Sequence, residues 1–159
     1  MNYIVEHFRS EWAVFLLSMI PISELRGSIP LGISLGLPPF EVFLISIAGN
    51  MLPVPFLLKL FRPIIRYVAR TRLLRRPAAY VLKKVNKGSN KVIRYELLGL
   101  FLLVAIPLPT TGAWTGSAVA AFLKLDFKKS FLFIFMGVIT AGVIMLAIST
   151  AGASFWRMT

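Results

Sequence analysis

The chain has 159 residues, of which 57% are hydrophobic and only 15% are charged, and its mean hydropathy is +0.79. A water-soluble protein of this length could not bury so much apolar surface. The composition therefore excludes a soluble domain and predicts a single integral membrane domain, residues 1–159. The absence of cysteine excludes disulfides and thiolate metal sites, and the one histidine, His7, lies near the N-terminus, which argues against a zinc site.

The first apolar segment, residues 13–37, is interrupted at its centre by the sequence PISELRGSIP (21–30). Proline and glycine disfavour a continuous helix, so Pro21, Gly27 and Pro30 are predicted to break it. The segment is then either one kinked crossing or a re-entrant hairpin that returns to the side from which it entered. Broken backbone at that depth is tolerated only inside protein or along a watery cavity.

Glu24 and Arg26 lie in this break, where a charged side chain is costly and therefore indicates function. A carboxyl group at this depth can act as a proton carrier. The guanidinium of Arg26 suits an anionic headgroup, or a fixed countercharge for Glu24. We predict that both residues form a proton and substrate site that Ser23 helps to line. The alternative is a structural ion pair that locks the break.

A first membrane span is predicted at residues 40–60, close to the roughly 20 residues that a crossing needs. It contains Asn50, which is followed by Pro53 and Pro55. An amide in a membrane helix more commonly joins two helices than it contacts a ligand. We include Asn50 among the candidate substrate-lining residues, with that alternative left open.

A strongly basic segment follows, because twelve Lys or Arg and no Asp or Glu occur from Lys59 to Arg94. The net charge of +12 alone would suit nucleic acid, but this block separates two hydrophobic halves, so an anionic lipid surface is the predicted partner and nucleic acid is not. The alternative is that the block only fixes topology. The residues predicted to contact lipid headgroups are Arg62, Arg66, Arg70, Arg72, Arg75 and Arg76.

The second apolar segment, residues 97–123, is interrupted by IPLPTTGAWTGSAVA (106–120), which carries hydroxyls and an indole but no charge. Short helix ends that point inward would present free N–H groups to an anion. Gly112 and Gly116 are predicted to break the helix, although their spacing also suits close helix packing. The candidate substrate-lining residues of this segment are Pro107, Pro109, Thr110, Thr111, Trp114 and Thr115. A second span is predicted at 127–149.

The two halves of the chain resemble each other. VFLLSMIP (14–21) matches LFLLVAIP (100–107), and VFLISIAGN (42–50) echoes SFLFIFMGV (130–138). Each half reads as a broken apolar segment followed by a longer span, which predicts an internal duplication.

The charges at the segment ends favour hairpins over crossings. If both broken segments are hairpins, every basic cluster except Arg9 and Arg157 falls on the cytoplasmic side, whereas two full crossings would place positive charge on both sides. We therefore predict an all-α inverted repeat in which each re-entrant hairpin precedes a transmembrane helix. Repeat 1 covers about 11–60, a basic cytoplasmic helical segment about 61–94, and repeat 2 about 95–150.

At SELRGSIPLGISLG, AGNMLPVP and VAIPLPTTGAWTGSAVA the chain resembles the family of putative small multidrug export proteins, over nearly its whole length. That family is similar to the DedA superfamily of bacterial membrane proteins, which includes undecaprenyl-phosphate recyclers and lipid scramblases. The resemblance implies two opposed re-entrant hairpins and an essential acidic residue in the first, which Glu24 matches. The arginines of the second DedA hairpin have no counterpart here, since their positions read Val104, Ala105, Thr110 and Thr111.

Taken together, these features predict a small multi-pass transporter of the cell membrane, acting as a homodimer on a small amphipathic or lipid-like substrate, with Glu24 as proton carrier or gate. One alternative is a DedA-like lipid or polyprenyl-phosphate flippase or scramblase that uses Arg26. Another is a non-transporting scaffold. An enzyme is not expected, because no nucleophile–base pair, metal cluster or cofactor motif occurs, and no cofactor or metal is predicted.

Overall fold

The computed structural model describes residues 2–68, 90–108 and 111–158. This part of the chain is helical, without a strand, as the sequence predicts. Its seven helices, in chain order, are α1 (Asn2–Met19), α2 (Glu24–Ser34), α3 (Pro39–Met51), α4 (Val54–Val68), α5 (Asn90–Ala105), α6 (Ala113–Phe122) and α7 (Phe127–Met158).

Two stretches are long and apolar enough to cross a membrane. Pro39–Phe61 covers α3 and the start of α4 over 23 residues, and Phe127–Gly152 covers 26 residues of α7. They coincide with the spans predicted at 40–60 and 127–149. Large apolar side chains such as Phe56 and Ile148 are exposed along them, as lipid-facing surface requires.

The first break is shorter than predicted. α1 ends at Met19 and α2 begins at Glu24, so the chain turns only between them, at Pro21. The prediction that Gly27 and Pro30 break the helix is wrong, because both lie inside α2. A Cβ at Gly27 would lie 2.7 Å from that of Ser23, so Gly27 serves close packing. The helix continues past Pro30 although this residue lacks the N–H that would bond to the Arg26 carbonyl.

The second break ends at Gly112, directly before α6. Gly116 lies inside α6, so the prediction of a break there is wrong. A Cβ at Gly116 would lie 2.6 Å from a methyl group of Val104, which shows that this glycine allows α5 and α6 to approach each other.

The helices that follow the breaks are short. α2 has 11 residues and α6 has 10. At about 1.5 Å per residue they extend roughly 15–17 Å, about half of a hydrocarbon core of roughly 30 Å. Neither helix can cross a bilayer alone.

Each short helix packs on the long span of the other half. α2 contacts α7 as well as α3, and α6 contacts α4. Within each half, α1 packs on α3 and α5 packs on α7. One core runs through these contacts, and its largest fully buried side chains include Ile29, Leu58, Leu100 and Ile134. The two halves are therefore interlocked rather than side by side.

The corner between a short helix and the following span has the same geometry in both halves, and equivalent residue numbers differ by 88. The Leu37 N–H donates to the Gly32 carbonyl at 3.1 Å, and the Leu125 N–H donates to the Ala120 carbonyl at 3.0 Å. The residue before each of these leucines has a positive φ, 81° at Gly36 and 55° at Lys124. The next helix begins two residues after each leucine. This repeated geometry agrees with the sequence similarity of the two halves.

Candidate functional site

The candidate site begins with Glu24, the first residue of α2. Its φ is 43°, a left-handed conformation that side chains other than glycine rarely adopt and that typically costs roughly 1–3 kcal/mol. Its side chain is only 6% exposed. The turn ahead of it is held by the Ser23 hydroxyl, which donates to the Leu17 carbonyl at 3.1 Å, and by the Glu24 N–H, which donates to the Ile20 carbonyl at 3.0 Å. The surrounding chain thus holds a buried carboxyl group on a strained backbone.

The carboxyl group of Glu24 lies at the N-terminus of α6. The backbone N–H of Trp114 donates to its Oε1 at 3.3 Å. A Cβ built at Gly112 would overlap both carboxyl oxygens, so no larger residue fits there without a shift. The positive end of the α6 dipole stabilises negative charge at this place. Glu24 therefore joins the first break of the chain to the second.

Arg26 makes a second connection between the breaks. Its Nη2 donates to the carbonyl oxygen of Thr111 and, at 3.0 Å, to the Thr111 hydroxyl. That hydroxyl lies 3.0 Å from the carbonyl oxygens of Ile106 and Leu108, to which it can donate in turn. The guanidinium thus holds the turn that leads into α6.

Trp114 completes the junction, because its indole Nε1 donates to the carbonyl of Met19 at 3.1 Å. Met19 is the last residue of α1, whose final carbonyls lack helical partners. Trp114 is half-buried and contacts both sides of the first break, through its backbone and through its ring. We call this junction of residues 19–26 and 111–114 the tip contact.

The other predicted residues are placed as follows. Pro107 and Thr115 are half-buried and flank the second break. Pro109 and Thr110 lie outside the described residues, as do Arg70, Arg72, Arg75 and Arg76. The backbone of α4 includes Arg62 and Arg66, whose side chains are likewise outside the description.

Asn50 lies near the end of α3, is fully buried, and makes none of the hydrogen bonds of the tip contact. One turn before it on α3, Ser46 accepts a hydrogen bond of 2.8 Å from Ser28 of α2. Ser28 and Ser46 are both fully buried, and neither was predicted as a site residue. The signal was present in their spacing, since each lies four residues from a predicted one, Glu24 or Asn50, and so shares its helix face.

The charged side chains of the tip contact belong to the first half alone. At equivalent positions, 88 residues later, Glu24 corresponds to Gly112, Ser28 to Gly116 and Asn50 to Val138. At these positions the second half therefore has no polar side chain, and it contributes backbone groups, the Thr111 hydroxyl and the Trp114 indole to the tip contact. Any chemistry that needs a charge is confined to the first half of this junction.

A separate cluster surrounds His7. Its Nδ1 lies 3.0 Å from Oε1 of Glu11, and its Nε2 lies 3.9 Å from Oε2 of Glu41. The three half-buried side chains are of types that could hold a metal ion. The sequence shows the four-residue spacing of His7 and Glu11, but the approach of Glu41 depends on the packing of α1 against α3. Partly exposed acidic groups commonly cluster in this way without an ion, so we assign no metal here.

A family described as "Putative small multi-drug export protein" matches residues 24–144 of the chain. The matched region begins at Glu24, directly after the first break, and includes the second break, the whole first span and most of the second. No curated protein and no solved structure matches the chain.

Proposed function

Since the chain belongs to the family described as "Putative small multi-drug export protein", we propose that it is a transporter that exports a small amphipathic or lipid-like compound and is coupled to protons through Glu24. One observation carries this proposal. The buried carboxyl group of Glu24 bonds to the N-terminus of α6 and so connects the two breaks of the chain. A proton on that carboxyl group would change the strength of the connection.

The membrane arrangement proposed with it is an inverted repeat of two re-entrant hairpins. α2 and α6 are each about half a membrane long, and the apolar part of α1 that precedes the first break is similarly short. The repeated corners at Leu37 and Leu125 support an internal duplication. With the basic segment 59–94 on the cytoplasmic side of the cell membrane, the hairpins enter from opposite faces and their tips meet near the midplane.

The coupling follows from charge. An ionised Glu24 is attracted to the N–H groups and the dipole at the start of α6, which holds the tips together. Protonation removes the charge and weakens this attraction. The tips then separate and expose the polar groups of the contact to a substrate. The proposed lining consists of Ser23, Asn50, Pro107, Pro109, Thr110, Thr111, Trp114 and Thr115, and Arg26 binds a polar or anionic group of the substrate.

A second candidate is a flippase for lipids with a phosphate headgroup. The observation in its favour is that Arg26 lies beside a helix N-terminus, and both attract phosphate. Anionic lipid at the basic segment, contacted by the arginines from Arg62 to Arg76, and a homodimeric assembly are further proposals that suit either candidate.

The test is transport by the purified protein in liposomes that carry a pH gradient, with ethidium as the transported probe. Glu24→Gln keeps the size of the side chain and an oxygen that can accept the Trp114 N–H, but it cannot be ionised. We expect pH-driven flux to fall by about tenfold or more, because the proton carrier is lost. The matched control is Glu6→Gln, which removes an exposed carboxylate from α1 and should leave the flux unchanged.

Unchanged pH-driven flux in Glu24→Gln would refute the proton-coupled function. A flippase would instead move fluorescent phosphatidylglycerol without a pH gradient and would lose that activity in Arg26→Ala. No movement of either probe by the wild-type protein would contradict both candidates.

A further inference from the structure

Asn50 is a buried amide without a partner. Its side chain is 0% exposed, and neither its Nδ2 nor its Oδ1 has a hydrogen-bond partner among the described residues. Such a group is unfavourable in an apolar interior. It offers a strong contact to a polar ligand, with one acceptor and two donated hydrogens.

The register of α2 against α3 places this amide level with Glu24. Ser28 on α2 bonds to Ser46 on α3, and a Cβ at Gly32 would lie 2.6 Å from two methyl groups of Val42. Four residues forward on α2 thus correspond to four residues backward on α3, so the helices are antiparallel. Extended by one turn, this register places Glu24 at the level of Asn50.

The end of α3 is also rich in free backbone oxygen. Pro53 and Pro55 have no N–H, so the carbonyls of Gly49 and Met51 cannot form their usual helical hydrogen bonds. α3 ends at Met51, and the C-terminal end of a helix carries partial negative charge. Carbonyl oxygens at interrupted membrane helices are the groups that coordinate small cations.

From these features we propose that the end of α3 binds a sodium ion through the Asn50 amide oxygen and the freed carbonyls, with Glu24 as its countercharge. The charge count favours a monovalent ion. Among the described residues of α2 and α3, Glu24 is the only carboxylate near the end of α3, since Glu41 lies at the start of that helix. Arg26 does not occupy the place, since its guanidinium is bound to Thr111. Sodium and a proton would then compete for the charge of Glu24. This inference rests on the proposed transport function for its meaning, but the binding itself can be measured without transport.

The test is thermal unfolding of the purified full-length protein in detergent, in sodium, potassium or choline chloride at equal ionic strength. We expect sodium to raise the Tm in a saturable way, on the order of 5 °C at saturation, and choline not to do so. In Asn50→Leu the half-saturating sodium concentration should rise roughly tenfold or more, because a ligand atom is lost. The matched control is Ser130→Ala on α7. Like Asn50→Leu, it removes a buried polar group that has no hydrogen-bond partner among the described residues, and it should leave the sodium response unchanged.

Asn50→Asp keeps an oxygen at the same place and adds charge, so it should bind sodium at least as tightly as the wild type. If Asn50→Leu fails to fold, the sodium response of Asn50→Asp tests the proposed site instead. An equal response to sodium and choline, a sodium response kept in Asn50→Leu, or one lost in Asn50→Asp would overturn the inference. A response to potassium that equals that to sodium would overturn the choice of sodium.

The outcomes separate this inference from the proposed function. Glu24-dependent, pH-driven flux without a sodium effect on the Tm would support the transport function and contradict the sodium site. A sodium-dependent Tm in a protein that moves no probe would support the sodium site and contradict the transport function.

Discussion

At the scale of single residues, the pairing of Glu24 with Gly112 explains two unusual backbone conformations at once. Glu24 adopts a left-handed φ, and Gly112, with φ of 156°, leaves room for the carboxyl group. The sequence predicts Glu24 as a site residue because a charge is rare at this depth. It does not predict the function of Gly112, because that depends on contact between segments 88 residues apart.

Gly112→Ala should therefore destabilise the protein by about 1–3 kcal/mol, because the new methyl group overlaps the Glu24 carboxyl group and requires a strained φ. Chemical unfolding in detergent measures the change. Glu24→Ala in the same chain should recover part of the loss, since it removes the overlapping atoms. The control is Gly99→Ala, where a Cβ meets nothing within 4 Å. A Gly112→Ala protein as stable as Gly99→Ala would contradict the tip contact.

At the scale of helices, the sequence predicts where the spans lie but not where the short helices begin. Apolar length alone locates Pro39–Phe61 and Phe127–Gly152. Local propensity fails at Gly27 and Pro30, because packing of α2 against α3 and α7 keeps the helix intact. Ser28 and Ser46 were missed for a related reason, since serine on an apolar helix becomes informative only when its partner helix is known.

The proposed hairpins can be tested with single cysteines, since the protein has none of its own. Glu6 lies near the start of α1, and Pro38 and Lys124 lie in the corners between each short helix and the following span; all three are exposed. Two re-entrant hairpins place Glu6→Cys and Pro38→Cys outside, and Lys124→Cys in the cytoplasm. A membrane-impermeant maleimide added to intact cells should then label the first two and spare the third.

Opposite labelling of Glu6→Cys and Pro38→Cys would mean that the first broken segment crosses the membrane completely. Labelling of all three after the membrane is made permeable is the control that each cysteine can react.

At the scale of the whole molecule, the two halves are interlocked and meet at the tip contact, where we propose the conformational switch. α2 packs on α7 and α6 packs on α4, so each short helix contacts the span of the other half. In the proposed mechanism, a change in the attraction between Glu24 and α6 is transmitted to both spans through these contacts. The sequence predicts the duplication and the asymmetry of charge. The way in which the halves interlock depends on contacts between distant segments, which periodicity does not encode.

The most direct test of the central claim is the distance between the two tips as a function of pH. Spin labels at Ile22→Cys and Leu108→Cys, both exposed positions beside the tip contact, report it by pulsed electron paramagnetic resonance. We predict a short distance at high pH, a longer one at low pH, and the longer one at both pH values when Glu24→Gln is added. One pH-independent distance in the wild-type protein, or the same pH response in Glu24→Gln, would contradict the claim that protonation of Glu24 separates the tips.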